Sequence, residues 1–307
     1  MAIQISDGTT VPHAANYTDL LSKLIAFATS GSNGWTQLES SAEKTVLRGS
    51  GSGTDQIYVG FRTYSNIAND VYGWDLQGYT GYTNAATNFM NQPGAITAGG
   101  ENGASYPSVA LWNSTIPYWF VINPRRIMMV AKVQTTYHFA YLGFFLPFAT
   151  PGQYPYPLFV GGSFMNNYYQ QAYRFSYTAC SAFWSGINAN GVSASCTARM
   201  QDGTWQNFSN QVSTYYSHGM YPYNQNYISL KRPNLDGSYT LTPVELQRYR
   251  DSNPRYNDRL GELDGVYHVT GFGQAAENII TVAGENYLVV PDVFRTNTAN
   301  YAAIKLV

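Results

Sequence analysis

The residues best able to do chemistry in this chain are four histidines, two cysteines and a handful of acids, and none falls into a catalytic pattern. His13, His138, His218 and His268 lie far apart, and none stands two to five residues from a cysteine or carboxylate in a known metal-ligand spacing. His138 is expected on a strand, packed in the core. No phosphate-binding Gly-x-x-x-x-Gly-Lys-Ser/Thr and no Gly-x-Ser-x-Gly nucleophile turn occurs. Gly49-Ser50-Gly51-Ser52-Gly53 lacks the following lysine and reads as a flexible turn entering a strand at Ile57.

Two partial matches are weighed and set aside. Gly271-Phe272-Gly273-Gln274-Ala275-Ala276 fits the dinucleotide fingerprint with alanine in the third place, and Asp292 follows at about the right interval. Such a site needs further strands and helices to complete a parallel sheet, and the surrounding sequence has no alternating helical pattern. A glycine-rich turn between strands is expected instead. Glu262 and Asp264 alternate onto one strand face and could form an acid pair for glycoside hydrolysis. Two solvated carboxylates at a turn is the simpler account. No catalytic residue, no metal site and no cofactor is expected.

The aromatic residues are more telling. Trp112, Trp119, Trp184 and Trp205 accompany the clusters Tyr168-Tyr169, Tyr215-Tyr216 and Tyr221-Pro222-Tyr223. They could stack on sugars, but Tyr and Trp are also the preferred anchors of protein interfaces, and that role needs no special geometry. Composition points the same way. Tyr alone, at 27, outnumbers Lys and Arg together, at 17, and charged residues make up 11% of the chain, against about 25% in an average domain. A net charge of −1 supplies no field for holding a nucleic-acid backbone by counterion release. With 44% hydrophobic residues the chain is globular rather than disordered. A surface with so little charge suits either a subunit buried among neighbours or an extracellular β-protein with an uncharged polar coat.

The elements that must carry these residues are mostly strands. One helix is clear: Tyr17, Leu20, Leu21, Leu24, Ile25 and Ala28 form a stripe, Asn16 can cap it, and Gly31 suits a left-handed stop. A weaker helix is expected after Thr242-Pro243, with Pro243 in its first turn. Ile57–Arg62 and Val71–Leu76 read as strands, as do Arg126–Val133 and His138–Phe145. The last two are apolar on both faces, as central strands covered above and below should be. Tyr287–Val290 and Tyr301–Leu306 read as a closing pair, and Asp236-Gly237 as a hairpin turn. Two ordered loops are expected, Ala86–Pro107 and the proline–tyrosine segment Pro147–Pro157, the latter stiff and extended. Cys180 and Cys196 could pair across a hairpin containing Gly186 and Gly191, but two small buried residues is the preferred account. The start has no signal-peptide pattern, and no uninterrupted apolar window is long enough to span a membrane.

The chain resembles tailed-bacteriophage virion proteins in several stretches. These are Gly51–Phe61 with Asp70–Gly78, the Gln153–Ser163 run that leads from proline and tyrosine to Gly-Gly-Ser, and Leu263–Tyr267 through Phe294-Arg295-Thr296 and Tyr301–Leu306. The likeness covers about two thirds of the chain, and 164–227 lie outside it. It implies a virion structural protein assembled in the host cytoplasm and locked into a ring through its aromatic-rich loops, in the tail or baseplate, with the neck as second location. Implied partners are other virion proteins and copies of itself, without nucleic-acid binding or membrane insertion. A receptor-binding module for host-surface polysaccharide is the rival, and a polysaccharide depolymerase comes third. The expected fold is mainly β, a sandwich or barrel-like core in one domain (1–307) with one N-terminal helix and long ordered loops. Residues 164–227 are a possible insertion or second lobe. Trp112, Trp119, Phe148, Tyr154 and Tyr156 are the expected interface anchors, with Tyr154 and Tyr156 replaceable by alanine without loss of the fold.

Overall fold

A computed structural model describes residues 2–4, 11–41, 44–52, 55–96, 106–150, 152–165, 180–185, 196–208, 218–250, 256–294 and 297–306. Along the chain come β1 (Ala2–Gln4), β2 (His13–Ala14), α1 (Tyr17–Ala28), β3 (Trp35–Ser40), β4 (Thr45–Gly49) and β5 (Ile57–Asn66). Next are β6 (Val71–Tyr79), β7 (Pro107–Leu111), β8 (Ile116–Asn123), β9 (Arg126–Val133), β10 (Thr136–Phe144) and β11 (Leu146–Pro147). Then follow β12 (Leu158–Gly161), β13 (Phe164–Met165), β14 (Cys196–Arg199), β15 (Trp205–Asn207) and β16 (His218–Tyr221). The chain closes with β17 (Thr242–Arg250), β18 (Tyr256–Val269), β19 (Ile279–Val282), β20 (Glu285–Pro291) and β21 (Tyr301–Lys305).

The protein is mainly β, as expected, and the strands of the described residues form three antiparallel sheets. The central sheet runs β1-β8-β9-β10-β12-β14-β15, with β2 also on β8. One flanking sheet runs β13-β7-β6-β5-β4-β3; the other runs β16-β17-β18-β21-β20-β19, with β11 on β18. Alternation along the central strands divides their side chains between two cores. Tyr118, Phe120, Met129, Leu142 and Phe144 point into a core shared with α1 and the β3–β7 sheet. Trp119, Val121, Met128, Val130 and Phe139 point into the other core, shared with β17, β18, β20 and β21. The double apolar pattern of β9 and β10 thus has its physical cause: both faces are covered.

Helix α1 starts where its cap requires. The Asn16 side chain accepts from the amides of Thr18 and Asp19 at 3.0 and 2.9 Å, meeting donors that the first turn leaves unpaired. Leu20, Leu21, Leu24 and Ala28 are buried. After the Thr29 C-cap, Gly31 has φ +52°, where a Cβ would be strained. The described parts of 164–227 supply β13, β14, β15 and β16 to all three sheets, and Ala182, Phe183 and Trp184 to the core.

Several expectations are corrected. The segment after Thr242 is strand β17, not a helix: Val244 and Leu246 alternate inward with Glu245 and Gln247 between them, a period of two that packing on β18 enforces. Pro243 is tolerated because the ladder shifts register beside it. Glu262 and Asp264 lie inside β18 rather than at a turn. The proline–tyrosine segment is not extended throughout, since Gly152 and Tyr156 have φ +86° and +50° and turn the chain. Asp236-Gly237 does make a turn, closed by Asn234 and Ser238, but no strand flanks it directly. Gly273, at φ +74°, sits in a turn between β18 and β19. Cys180 and Cys196 are both buried and form no disulfide. Residues 97–105, Gly186, Gly191, Tyr168-Tyr169, Tyr215-Tyr216 and Arg295-Thr296 lie outside the described residues.

Candidate functional site

The five expected anchors divide by burial. Trp119 lies on β8 and turns into the core, its ring 6.4 Å from that of Tyr137. Tyr154 is buried too: its ring meets Phe145 edge-on at 5.2 Å and its hydroxyl donates to the Arg199 carbonyl at 3.0 Å. Neither can anchor a partner, because the chain's own core occupies them. Tyr154→Ala is therefore expected to destabilise the fold by about 3–5 kcal/mol, the range for emptying a buried aromatic site. Chemical denaturation of the single variant checks this, and an unchanged midpoint would return Tyr154 to the surface.

The remaining three are accessible to different degrees. Trp112 is half-buried against the α1 core and donates its indole N–H to the Thr115 carbonyl at 3.1 Å. Tyr156 is half-buried, its backbone N–H donating to Asp55 Oδ2 at 2.8 Å, with the Arg199 guanidinium 5.6 Å from its ring centre. Phe148 is 47% exposed. No ring pairing joins any two of the five among the described residues.

Phe148 has company that the sequence did not reveal. Its amide donates to the Leu260 carbonyl at 2.9 Å, which fixes the loop to β18. The Arg259 guanidinium lies 4.9 Å from its ring centre, in cation–π range. Arg259 in turn grips Glu245 through two hydrogen bonds, one of them 2.8 Å from Nε to Oε2. Across the strands Tyr221 pairs with Glu245, Glu245 with Glu262, and Glu262 with Leu146. Tyr227, 46% exposed, donates its hydroxyl to that of Tyr221 at 3.3 Å. The result is one patch built from β11, β16, β17 and β18, combining exposed aromatics with an oriented arginine.

The charged groups of the patch perturb one another. Burial, with Glu245 and Asp264 nearby, raises the Glu262 carboxyl above its ordinary range. The Tyr227 hydroxyl and burial push Tyr221 up to about 12. The Glu245 carboxylate holds Arg259 more firmly charged. Arg259 and Glu245 lie 14 positions apart in sequence, and only the β17–β18 register brings them together. The signals available beforehand were Phe148 itself, Glu262 and the Tyr221-Pro222-Tyr223 cluster.

Other candidates resolve into structure. His138 is buried, with Ser163 Oγ 2.9 Å from Nδ1 and Thr136 Oγ1 3.2 Å from Nε2. Asp75, raised by burial, is held by Arg62 at 2.8 Å and Ser108 at 2.9 Å. An open cleft of about 180 Å³ between α1 and the β3–β7 sheet is lined by serine and threonine hydroxyls, by Lys44 and by the apolar Leu21, Ile25 and Phe61. That lysine is already engaged by the carbonyls of Ala85 and Thr87 and by Glu39. Among the described residues no helix is long and apolar enough to cross a membrane. A scan against protein-family models finds no match to this chain, and a search of curated proteins finds none either.

Proposed function

We propose that this chain is a structural subunit of a tailed-bacteriophage virion, placed in the tail or baseplate and held by the Phe148–Arg259–Tyr227 patch. It works by contact and has no catalytic centre. The patch carries the proposal: it presents exposed aromatic area and an oriented arginine on a rigid sheet, in a chain with 11% charged residues. Aromatic residues and arginine are the side chains that dominate binding energy at interfaces. The resemblance of Gly51–Phe61, Gln153–Ser163 and the C-terminal strands to virion proteins supplies the setting.

Phe148→Ala combined with Tyr227→Ala is expected to leave the circular dichroism and melting temperature unchanged, because both rings face solvent. The same variant should enter particles at least tenfold less, about 1.4 kcal/mol or more at the contact. Quantifying the chain in purified particles by mass spectrometry checks this. Assembly should also survive salt near 0.5 M, since exposed ion pairs contribute only about 0–1 kcal/mol each. Normal incorporation of the double variant would remove the patch from the contact. A chain absent from particles that binds host polysaccharide would instead make it a receptor-binding module.

A further inference from the structure

The sheet that carries the patch ends on β19, which has no strand on its outer side among the described residues. Exposed edges invite pairing, and proteins ordinarily blunt them with lysine, proline, a bulge or extreme shortness. Three other edges among the described residues show such devices, and β16, at the far side of this sheet, is followed at once by Pro222. The β3 edge carries Glu39 beside a register shift, β15 has three residues and β13 has two. Strand β19 reads Ile279-Ile280-Thr281-Val282, with no charge, no proline and an unbroken register on β20.

The turn decides which backbone groups this edge offers. Ala283 and Gly284 have φ +52° and +81°, the left-handed pair of a two-residue hairpin that makes Val282 and Glu285 a hydrogen-bonded closing pair. Hydrogen-bonded pairs then alternate through Ile280 with Tyr287 to Asn278 with Val289, where the Val289 amide donates to the Asn278 carbonyl at 2.8 Å. The N–H and C=O of Ile280 and Val282 therefore face β20. Those of Ile279 and Thr281 face outward.

We propose that β19 pairs antiparallel with β19 of a second copy of this chain, about a two-fold axis passing beside Ile280. Ile279 then lies opposite Thr281 of the second copy, and the reverse, so that all four outward groups on each strand are used. The side chains select this occupant. Ile280 meets Ile280 of the second copy on one face, and Ile279 meets Thr281 on the other, both being favourable β-branched pairs. Continuing the register sets Asn278 against Val282, so no like charges meet along the strand. Ile279 is 49% exposed in the single chain, and the contact covers it. Such an isologous joint closes at two copies and leaves the patch at Phe148 open. It stands whether or not the chain belongs to a virion.

Sedimentation velocity of the purified chain over a wide concentration range tests the proposal, with hydrogen exchange on the same samples. The wild type and Thr281→Val, which keeps the outward N–H, should reach dimer. Thr281→Pro removes one donor per copy at an edge position that tolerates proline and should weaken dimerisation about tenfold or more. The amides of Ile279 and Thr281 should exchange freely in the monomer and slowly in the dimer, a readout that survives even if the proline variant misfolds. A wild type that stays monomeric at every concentration overturns the proposal. So does a dimer that leaves those amides unprotected, or protection seen only with a different virion protein present.

Discussion

Lowering the pH from about 7 to about 4 is expected to unfold this protein, through its buried histidines. Burial drives the pKa of His138 down to about 3, and those of His218 and His268 to about 4, the latter two assisted by Arg248 and Lys231. In the unfolded chain each imidazole takes its proton near pH 6.5. The folded state refuses that proton until much lower pH, so each histidine contributes stability above pH 6.5 that is lost as the pH falls toward 4. By pH 4 the loss is about 3 kcal/mol per histidine, close to 9 kcal/mol for the three, against a typical total stability of about 5–15 kcal/mol. Asp292 opposes them, because burial lifts its carboxyl to about 6 and protonation then favours the fold by about 2 kcal/mol. Asp75 and Glu262, also raised by burial, oppose the histidines in the same direction, and the three histidines supply the larger change. Urea unfolding at a series of pH values measures the slope, and His138→Gln should flatten it by about a third. A denaturation midpoint that does not move between pH 7 and pH 4 would contradict the account.

Removing the Asp264 carboxylate should be the most damaging single change on the seam between the central sheet and the patch-bearing sheet. Arg126 on β9 is completely buried, and its Nη1 donates to the Val121 carbonyl at 3.1 Å. Its Nε and Nη2 make no hydrogen bond, so Asp264 Oδ2, 3.3 Å from Nε, is the balancing charge. The same oxygen accepts from Asn123 Nδ2 at 3.0 Å, and the Asp264 amide donates to the Tyr141 hydroxyl at 3.3 Å. Gly265, at φ +75°, lets the backbone pass the guanidinium, where a Cβ would come within 2.5 Å of Nη2. Asp264→Ala is expected to cost about 3–5 kcal/mol, because it strands an uncompensated buried cation. Arg126→Met combined with Asp264→Ala should recover much of that loss, since a buried pair is replaceable by apolar volume where a half-pair is not. Additive losses in the double variant would show that the two side chains do not act as a unit.

Local physics determines a good part of this protein from its sequence alone. The cap at Asn16 and the apolar stripe of α1 depend on neighbours within one or two turns. The hairpin of β9 and β10 depends on adjacent alternation, and the two apolar faces of those strands require cover on both sides wherever that cover comes from. Scarce charge and abundant tyrosine likewise argue, without any coordinates, against a surface that works by long-range electrostatics. What only the tertiary structure decided is which aromatics remain outside. Trp119 and Tyr154 are aromatic like Phe148, and more polar, yet they fall on the inward side of their segments, and Tyr154 is drawn in by Phe145 and the Arg199 carbonyl. The Arg259–Glu245 grip, the Arg126–Asp264 pair and the strand character of Thr242–Arg250 come from register between segments distant along the chain. Burial and ladder register are sums over many remote contacts, so no single stretch of sequence contains them.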